Sequence, residues 1–334
     1  MSRWRPAGAI ALLLLAGGVG ALAGAAGPDS TGSPAAPWRL GFSERGLRLL
    51  EVPPLDELCE EKDRLLLEAS EGACTPETPD LTPVPLDRDR APVLRRSRLA
   101  ERRTWWLLDL RGRSSQVTFP HLVALYSASG ASGCYFLASE AVARDRAPVE
   151  GPTEENLVFA FPEPPRTPPA VRRPSGDWTL YDRAETKLPG RYCDLLKASE
   201  VRVVLGARYA GFASELSQAF AQPFSARLDA RGRPETLWLV GWAASGPKSG
   251  ELDAAWSVCR ERAGRLQPLA VVYDADADED RRYRPELVAA MDLDGDGADE
   301  LVLSAHYGEG DEVKVFAWRG GGLVPVYDSA YFGQ

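Results

Sequence analysis

Short apolar runs rich in Val, Leu, Ala and Trp, separated by glycine-containing or charged segments, dominate the last third of the chain. Runs of this length and composition are typical of β-strands. One covers residues 235–242 and another covers residues 300–307, and each begins with a glutamate and ends in an aromatic residue. The pattern therefore predicts antiparallel β structure in this part of the chain.

The same two runs belong to an internal repeat, whose copies extend over about 223–274 and 285–331. In each copy a loop, a second strand, a hairpin turn with glycine and a third strand opening with Leu-x-Pro follow in the same order. The second strands are predicted at 255–260 and 313–318. A small antiparallel sheet cannot bury its faces alone, so we expect the copies to stack on each other or on a preceding β region, as propeller blades do.

The preceding chain predicts a β-rich region with little helix. Apolar spacing with Gly72 just beyond its end predicts a helix over residues 55–70, and a shorter one is predicted over about 213–220. Residues 161–176 are too rich in proline for a central strand and are interpreted as a surface loop or linker. Further strands are predicted at 105–110, 116–126, 134–138, 177–182 and 201–205.

Composition narrows the class of protein. The 334 residues are 44% hydrophobic and 26% charged, which is enough apolar material for one large core or two smaller ones. The net charge of −9 argues against nucleic acid as a partner, since binding phosphates needs a basic face. Only His121 and His306 are available to a zinc cluster or a histidine base.

The N-terminus has the pattern of a secretory signal peptide, assigned to residues 1–25. Arg3 and Arg5 precede an apolar run over 9–23, which ends in small residues suited to cleavage. An uncleaved membrane anchor is the alternative. We expect an exported protein, periplasmic or extracellular, without stable membrane insertion after cleavage. The mature chain is then divided into a flexible leader (26–53), a helix plus β-rich region (54–160), the linker (161–176) and a β region with the two propeller-like repeats (177–334).

Export permits disulfides, but spacing does not settle their connectivity. Cys59 and Cys74 are close enough in sequence to close a local loop. The odd total leaves at least one cysteine unpaired within a monomer. The five cysteines are Cys59, Cys74, Cys134, Cys193 and Cys259.

The stretch with the most readable chemistry is Asp-Leu-Asp-Gly-Asp-Gly-Ala-Asp-Glu at residues 292–300, here named the acidic loop. Calcium takes six to eight oxygen ligands, and alternate aspartates on a tightly curled loop point several carboxylates at one centre. We predict calcium ligands at Asp292, Asp294, Asp296, the carbonyl of Ala298, and Glu300. Asp299 is expected to point into solvent. An EF-hand is disfavoured because its twelfth position, a bidentate glutamate, is Leu303 here.

This loop, with its last ligand at the ninth position and a strand directly after it, resembles the calcium-bearing hairpin of FG-GAP and VCBS-type repeats. The resemblance covers about residues 223–331 and implies propeller-like blades, as in integrin α chains and many exported bacterial proteins. Aspartate is more usual in that family where this chain has Glu300. Two alternatives stay open: an acidic turn without metal, and a catalytic rather than structural ion.

The first copy carries a changed version of the loop at residues 227–235, here named the arginine loop. Asp229, Gly232 and Glu235 are kept, but arginines stand at positions 227 and 231, where the acidic loop has aspartates. We predict no metal there and expect an arginine to pair with Asp229 or Glu235. A second acidic run at 274–280 lacks the glycine and is interpreted as a solvated loop rather than a weak calcium site.

Two functions remain possible on the sequence. The first is a non-enzymatic, exported calcium-binding module that binds or scaffolds a protein or glycan partner. The second is a secreted or envelope hydrolase whose calcium only stabilises the fold. The chain has no Gly-x-Ser-x-Gly elbow, phosphate loop or His-Glu-x-x-His motif, which favours the first.

Overall fold

A computed structural model describes residues 38–52, 83–85, 103–125, 134–142, 149, 153, 155–165, 167–176, 179–182, 190–245, 252–274, 284–307, 310–320, 322–329 and 332–333. The strands are β1 (Arg39–Glu44), β2 (Leu47–Glu51), β3 (Pro83–Pro85), β4 (Thr104–Asp109), β5 (Ser114–Thr118), β6 (His121–Leu125), β7 (Cys134–Ala138), β8 (Leu157–Phe161), β9 (Thr179–Asp182), β10 (Leu216–Ala226), β11 (Glu235–Ser245), β12 (Leu252–Arg262), β13 (Arg265–Asp274), β14 (Arg284–Met291), β15 (Glu300–Tyr307), β16 (Gly310–Arg319), β17 (Gly322–Asp328) and β18 (Phe332–Gly333). The helices are α1 (Gly190–Leu196), α2 (Ser199–Leu205) and α3 (Tyr209–Glu215), with a 3₁₀ turn between α2 and α3. The prediction of a mainly β protein is confirmed. The flexible leader predicted over 26–53 is wrong for residues 39–51, because the buried strands β1 and β2 lie there and β1 pairs with β8.

The strands form three antiparallel sheets. The N-terminal sheet has the order β3-β6-β7-β2-β1-β8-β4-β5. The middle sheet has the order β13-β12-β11-β10-β9, and the C-terminal sheet the order β14-β15-β16-β17, with β18 paired to β16. The predicted strands 134–138 and 300–307 are confirmed as β7 and β15, and the predicted run 116–126 is divided between β5 and β6 around Phe119 and Pro120.

The middle and C-terminal sheets share a four-stranded meander, β10 to β13 in one and β14 to β17 in the other. Each has a register shift at the same place, beside the proline of its last strand. Cys259 pairs with Pro268 in one sheet, and Phe316 pairs with Pro325 in the other. Proline has no N–H to give to the ladder, so a bulge at this point is expected in both.

The sheets stack in layers, with the C-terminal sheet between the other two. One apolar cluster lies between the C-terminal sheet and the middle sheet. A second lies on the other face of the C-terminal sheet, between it and the N-terminal sheet. Trp256 and Phe316 meet edge to face at 5.2 Å between the middle and C-terminal sheets. Trp38 of the N-terminal side lies 5.3 Å from the ring of Tyr327 in the C-terminal sheet. The acidic loop therefore lies at one end of the central layer.

Helices α1 to α3 cover the outer face of the middle sheet. This corrects two predictions. The apolar run over 201–205 predicts a strand, but these residues lie in α2, where Val201 and Leu205 are buried one helical turn apart while Val203 is 58% exposed. The described layers thus form a stack that ends in helices at this face.

The predicted helix over about 213–220 is also wrong for most of its length, because β10 begins at Leu216. Leu, Gln and Ala are good helix formers, which favoured the helix locally. In the fold Ala219 and Ala221 face the helices while Phe220 and Phe224 face the C-terminal sheet, which is the alternation of a buried strand. Burial on two opposite faces outweighed helix propensity.

The proline-rich segment contacts both the middle sheet and the C-terminal sheet. The backbone N–H and C=O of Arg172 bond to Ala290 of β14 at 2.9 and 2.8 Å. The N–H of Ser175 donates to the carbonyl of Pro223 in β10. Beside them, the buried amide of Gln222 accepts from the N–H of Leu287 at 2.8 Å and donates to its carbonyl at 3.3 Å. These polar contacts fix the two sheets relative to each other.

Several predictions concern residues outside the described ranges. They are the signal peptide over 1–25, the helix over 55–70, and any bridge between Cys59 and Cys74. Cys193 and Cys259 are free thiols. No helix within the described ranges is long and apolar enough to cross a membrane.

Candidate metal centre

The acidic loop connects β14 to β15 and is built from its own carboxylates. Asp292 accepts backbone N–H groups of Gly295 at 2.8 Å and Gly297 at 3.0 Å. Asp294 accepts from the N–H of Asp296 at 3.0 Å, and Asp296 accepts from the N–H of Ala298 at 2.7 Å. These repeated aspartate turns curl the chain tightly, which is the local reason for aspartate at alternate positions.

Both glycines of the loop adopt a backbone conformation that other residues avoid. The φ angle is +79° at Gly295 and +93° at Gly297. A Cβ atom on Gly297 would lie 2.9 Å from the Cα of Ala230 in the arginine loop. The second glycine is thus required by the turn and by the close approach of the neighbouring loop.

Three side chains converge at the centre of this loop. Carboxylate oxygens of Asp292, Asp294 and Glu300 all lie within 4.8 Å of one another. Ligands on opposite sides of a calcium ion, each about 2.4 Å from it, would be about 4.8 Å apart. The three oxygens therefore fit inside one coordination sphere of a hard cation, and the donor set is purely oxygen, as calcium and magnesium prefer.

The other two predicted ligands are placed differently. Asp296 is exposed and does not belong to this group of three, and one of its oxygens accepts the Ala298 N–H. Ala298 is buried at the end of the loop, just before β15. Sequence spacing alone did not separate Asp296 from the other aspartates.

The electrostatics of the loop favour a cation. Glu300 is 2% exposed, and burial raises its pKa to about 8, although the N–H of Leu293 donates to it at 2.6 Å. Burial also raises the pKa of Asp292, with the nearby aspartates adding to the rise. One positive group is close by, since Arg319 Nη2 lies 3.4 Å from Asp294 Oδ2 at the exposed side. A bound cation would offset the desolvation of these carboxylates.

Asp299 has a role that the sequence analysis missed, and the expectation that it points into solvent is wrong. Its side chain is 1% exposed, and both its oxygens lie 2.9 Å from Arg172 Nη1. The backbone N–H of Arg227 donates to Asp299 at 2.7 Å. Burial raises the pKa of Asp299, and the Arg227 N–H and the Arg172 guanidinium oppose that rise. The linker and both loops therefore meet at this carboxylate.

The arginine loop is packed against the acidic loop. The N–H of Asp299 donates to the carbonyl of Arg227 at 2.7 Å, and Arg227 Nη1 donates to the carbonyl of Gly297 at 3.2 Å. The only signal for this in the sequence is that Arg227 occupies the repeat position of Asp292. Its charge contacts the neighbouring loop rather than its own.

The expected pairing within the arginine loop is not what the structure has. Glu235 pairs with Arg260 of β12, at 2.5 Å. Asp229 accepts the backbone N–H groups of Arg231 at 2.7 Å and Gly232 at 3.0 Å. Glu235 thus forms an ion pair with a neighbouring strand, and Asp229 accepts hydrogen bonds within its own turn. Neither acid pairs with the side chain of Arg227 or Arg231. Of the second acidic run, predicted at 274–280, the structure describes only residue 274.

Comparison with known proteins adds no relative to this geometry: no protein-family model, no curated protein and no solved structure matches the chain.

Proposed function

We propose that the chain is an exported calcium-binding repeat protein that acts as a non-enzymatic binding or scaffolding module. The observation that carries the proposal is the convergence of the Asp292, Asp294 and Glu300 carboxylates within 4.8 Å on a loop closed by two positive-φ glycines. Calcium is the preferred ion because the loop offers several anionic oxygens in a flexible shell.

The proposed role of the ion is structural. Glu300 begins β15, a strand in the middle of the stack, and the adjoining Asp299 holds Arg172 and the arginine loop. An ion that binds only this folded arrangement stabilises it by mass action, and so holds the loop and its neighbours in place. Structural ions need no nucleophile or general base beside them.

The proposed architecture is a duplicated, propeller-like pair of blades of the FG-GAP and VCBS type. It is supported by the two matching four-stranded meanders and by the register shift beside Pro268 and Pro325. It is also supported by face-to-face packing of the two sheets. Layered sheets present broad outer surfaces, which suit a protein or glycan partner.

The decisive experiment is thermal unfolding with and without calcium. We expect calcium to raise the melting temperature, because free calcium at 100 times its Kd adds about 2.7 kcal/mol to the free energy of unfolding. Asp294→Ala should abolish the rise because it removes one of the three converging carboxylates. The matched control is Asp229→Ala, at the same repeat position in the arginine loop, which should keep the calcium effect.

If calcium does not change the melting temperature of the wild-type protein, the proposed calcium site is refuted. An equal loss of the response in both variants would also refute it, since the effect would then not belong to the acidic loop. Export is tested separately. A chain lacking residues 1–25 should be recovered in the soluble fraction, whereas full-length protein found only in membranes would support a retained anchor.

A further inference from the structure

A polar cavity of about 390 Å³ lies in the N-terminal sheet, far along the chain from the acidic loop. Pockets that hold small ligands start at about 300 Å³. The cavity is formed where the chain reverses between β1 and β2, between β4 and β5, and just before β8. These strands are neighbours in the order β2-β1-β8-β4-β5, so the reversals meet at one end of the sheet.

Sheet register places six of the lining side chains on one face. Ser43 is the cross-strand partner of Arg48, Val158 is the partner of Asp109, and Leu107 is the partner of Ser115. The opposite face carries the core side chains, among them Leu40 and Phe159, that pack against the C-terminal sheet. The cavity is therefore a feature of the face that the central layer does not cover.

The charges in the cavity are unbalanced. The hydrogen bonds of Asp109 are made within its own hairpin. Its carboxylate accepts the backbone N–H groups of Arg111 and Arg113, both at 2.9 Å, and the Arg113 side chain donates to it at 2.7 Å. Burial raises the pKa of Asp109, but the Arg113 and Arg111 hydrogen bonds outweigh it and the net shift is downward. The charges of Asp109 and Arg113 therefore neutralise each other.

Two guanidinium groups remain for a ligand. Arg48, half-buried, and Arg111, at the hairpin tip, have no acidic side-chain partner among the described residues. Glu155, exposed at the rim, is the one remaining carboxylate in the lining. Guanidinium groups bind carboxylate or phosphate with two parallel hydrogen bonds. The cavity consequently keeps an excess of one positive charge in a chain whose net charge is −9.

Neutral groups complete the lining. Hydroxyl groups of Ser43 and Ser115 are available as donors and acceptors, and Leu107 and Val158 give a buried apolar floor. An apolar floor with a polar rim suits a small ring that carries hydroxyl groups on its edge. We propose that this cavity binds a monosaccharide-sized organic anion through its carboxylate or phosphate, with Arg48 and Arg111 as the anion-binding residues.

The test is isothermal titration calorimetry on the full chain at fixed ionic strength, with glucuronate, glucose 6-phosphate and glucose as probes. We expect binding of at least one anionic sugar and none of glucose, and the two acids separate a carboxylate preference from a phosphate preference. Arg48→Gln and Arg111→Gln should each weaken binding at least about tenfold, because each removes a charge-assisted pair. Arg265→Gln, at an exposed position of β13, is the matched control and should bind as wild type.

Each other outcome overturns the proposal. The proposal is wrong if neither anion binds, if glucose binds as tightly as the anions, or if both cavity variants keep the wild-type affinity. It is also wrong if Arg265→Gln loses as much affinity as the cavity variants, which would indicate a general effect of charge. Arg111 is exposed at a hairpin tip, so its variant remains informative if Arg48→Gln fails to fold. The site is separate from the acidic loop, so the calcium experiment and this one fail independently.

Discussion

The acidic loop and the arginine loop occupy the same position in two similar sheets, yet they are used in opposite ways. In the acidic loop three carboxylates converge and Glu300 is buried among them. In the arginine loop Glu235 is drawn to Arg260, and Asp229 serves only its own turn. The acidic loop thus brings three carboxylates within 4.8 Å of one another, while the arginine loop is held by hydrogen bonds and an ion pair.

The difference shows that two loops at matching positions of two similar sheets can make very different contacts. Arg227, at the repeat position of Asp292, reaches the carbonyl of Gly297 in the other copy. Ala230 packs so closely on Gly297 that no side chain fits between them. The arginine loop therefore supports the acidic loop from the side, and the two loops are expected to respond very differently to equivalent substitutions.

The largest difference is expected between Asp299→Ala and Pro234→Ala, which change the same repeat position in the two loops. Asp299→Ala removes the buried partner of Arg172 and of the Arg227 N–H, and should lower the free energy of unfolding by about 3 kcal/mol. Pro234→Ala touches an exposed turn and should cost much less. Urea unfolding with a chelator present measures both, and similar losses in the two variants would contradict the role assigned to Asp299.

A smaller difference is expected between Gly297→Ala and Gly232→Ala. At Gly297 the φ angle is +93° and a Cβ would lie 2.9 Å from Ala230, so alanine should cost about 2 kcal/mol from backbone strain and displacement of the neighbouring loop. At Gly232 the closest atoms to a Cβ, both of Asp229, lie at 3.3 Å, and a smaller loss is expected. The same denaturant series measures both. If Gly232→Ala were the more damaging, the close approach at Gly297 would not matter energetically.

The smallest effect on calcium-free stability is expected at the glutamates that begin the two strands. Glu235→Gln weakens a half-exposed ion pair with Arg260 and should cost no more than about 1 kcal/mol, leaving any calcium response intact. Glu300→Gln removes one of three converging carboxylates, so it should leave calcium-free stability unchanged or raised while abolishing the calcium response. Melting curves with calcium and with chelator compare the two. A retained response in Glu300→Gln would exclude this glutamate as a ligand.

Part of this protein could be predicted from its sequence because the determinants are local. The acidic loop has its aspartates, glycines and glutamate within nine consecutive residues, so the turn that gathers Asp292, Asp294 and Glu300 is encoded in one contiguous segment. The strands that follow each loop also have a local signature, and β15 coincides with its predicted range. The matching strand order of the middle and C-terminal sheets has the same local basis.

What the tertiary structure decided involves residues far apart in sequence. The local pattern predicts that Asp299 faces solvent beside Glu300, but Arg172 and the arginine loop cover it, and both partners come from other parts of the chain. Residues 216–226 form a strand because two layers bury its two faces, against the helix propensity of its Leu, Gln and Ala residues. The sequence by itself thus determined the local turn of the acidic loop and the β character. Packing between layers decided which charges are buried and which segments fold as helix or strand, since burial depends on neighbours that local patterns do not contain.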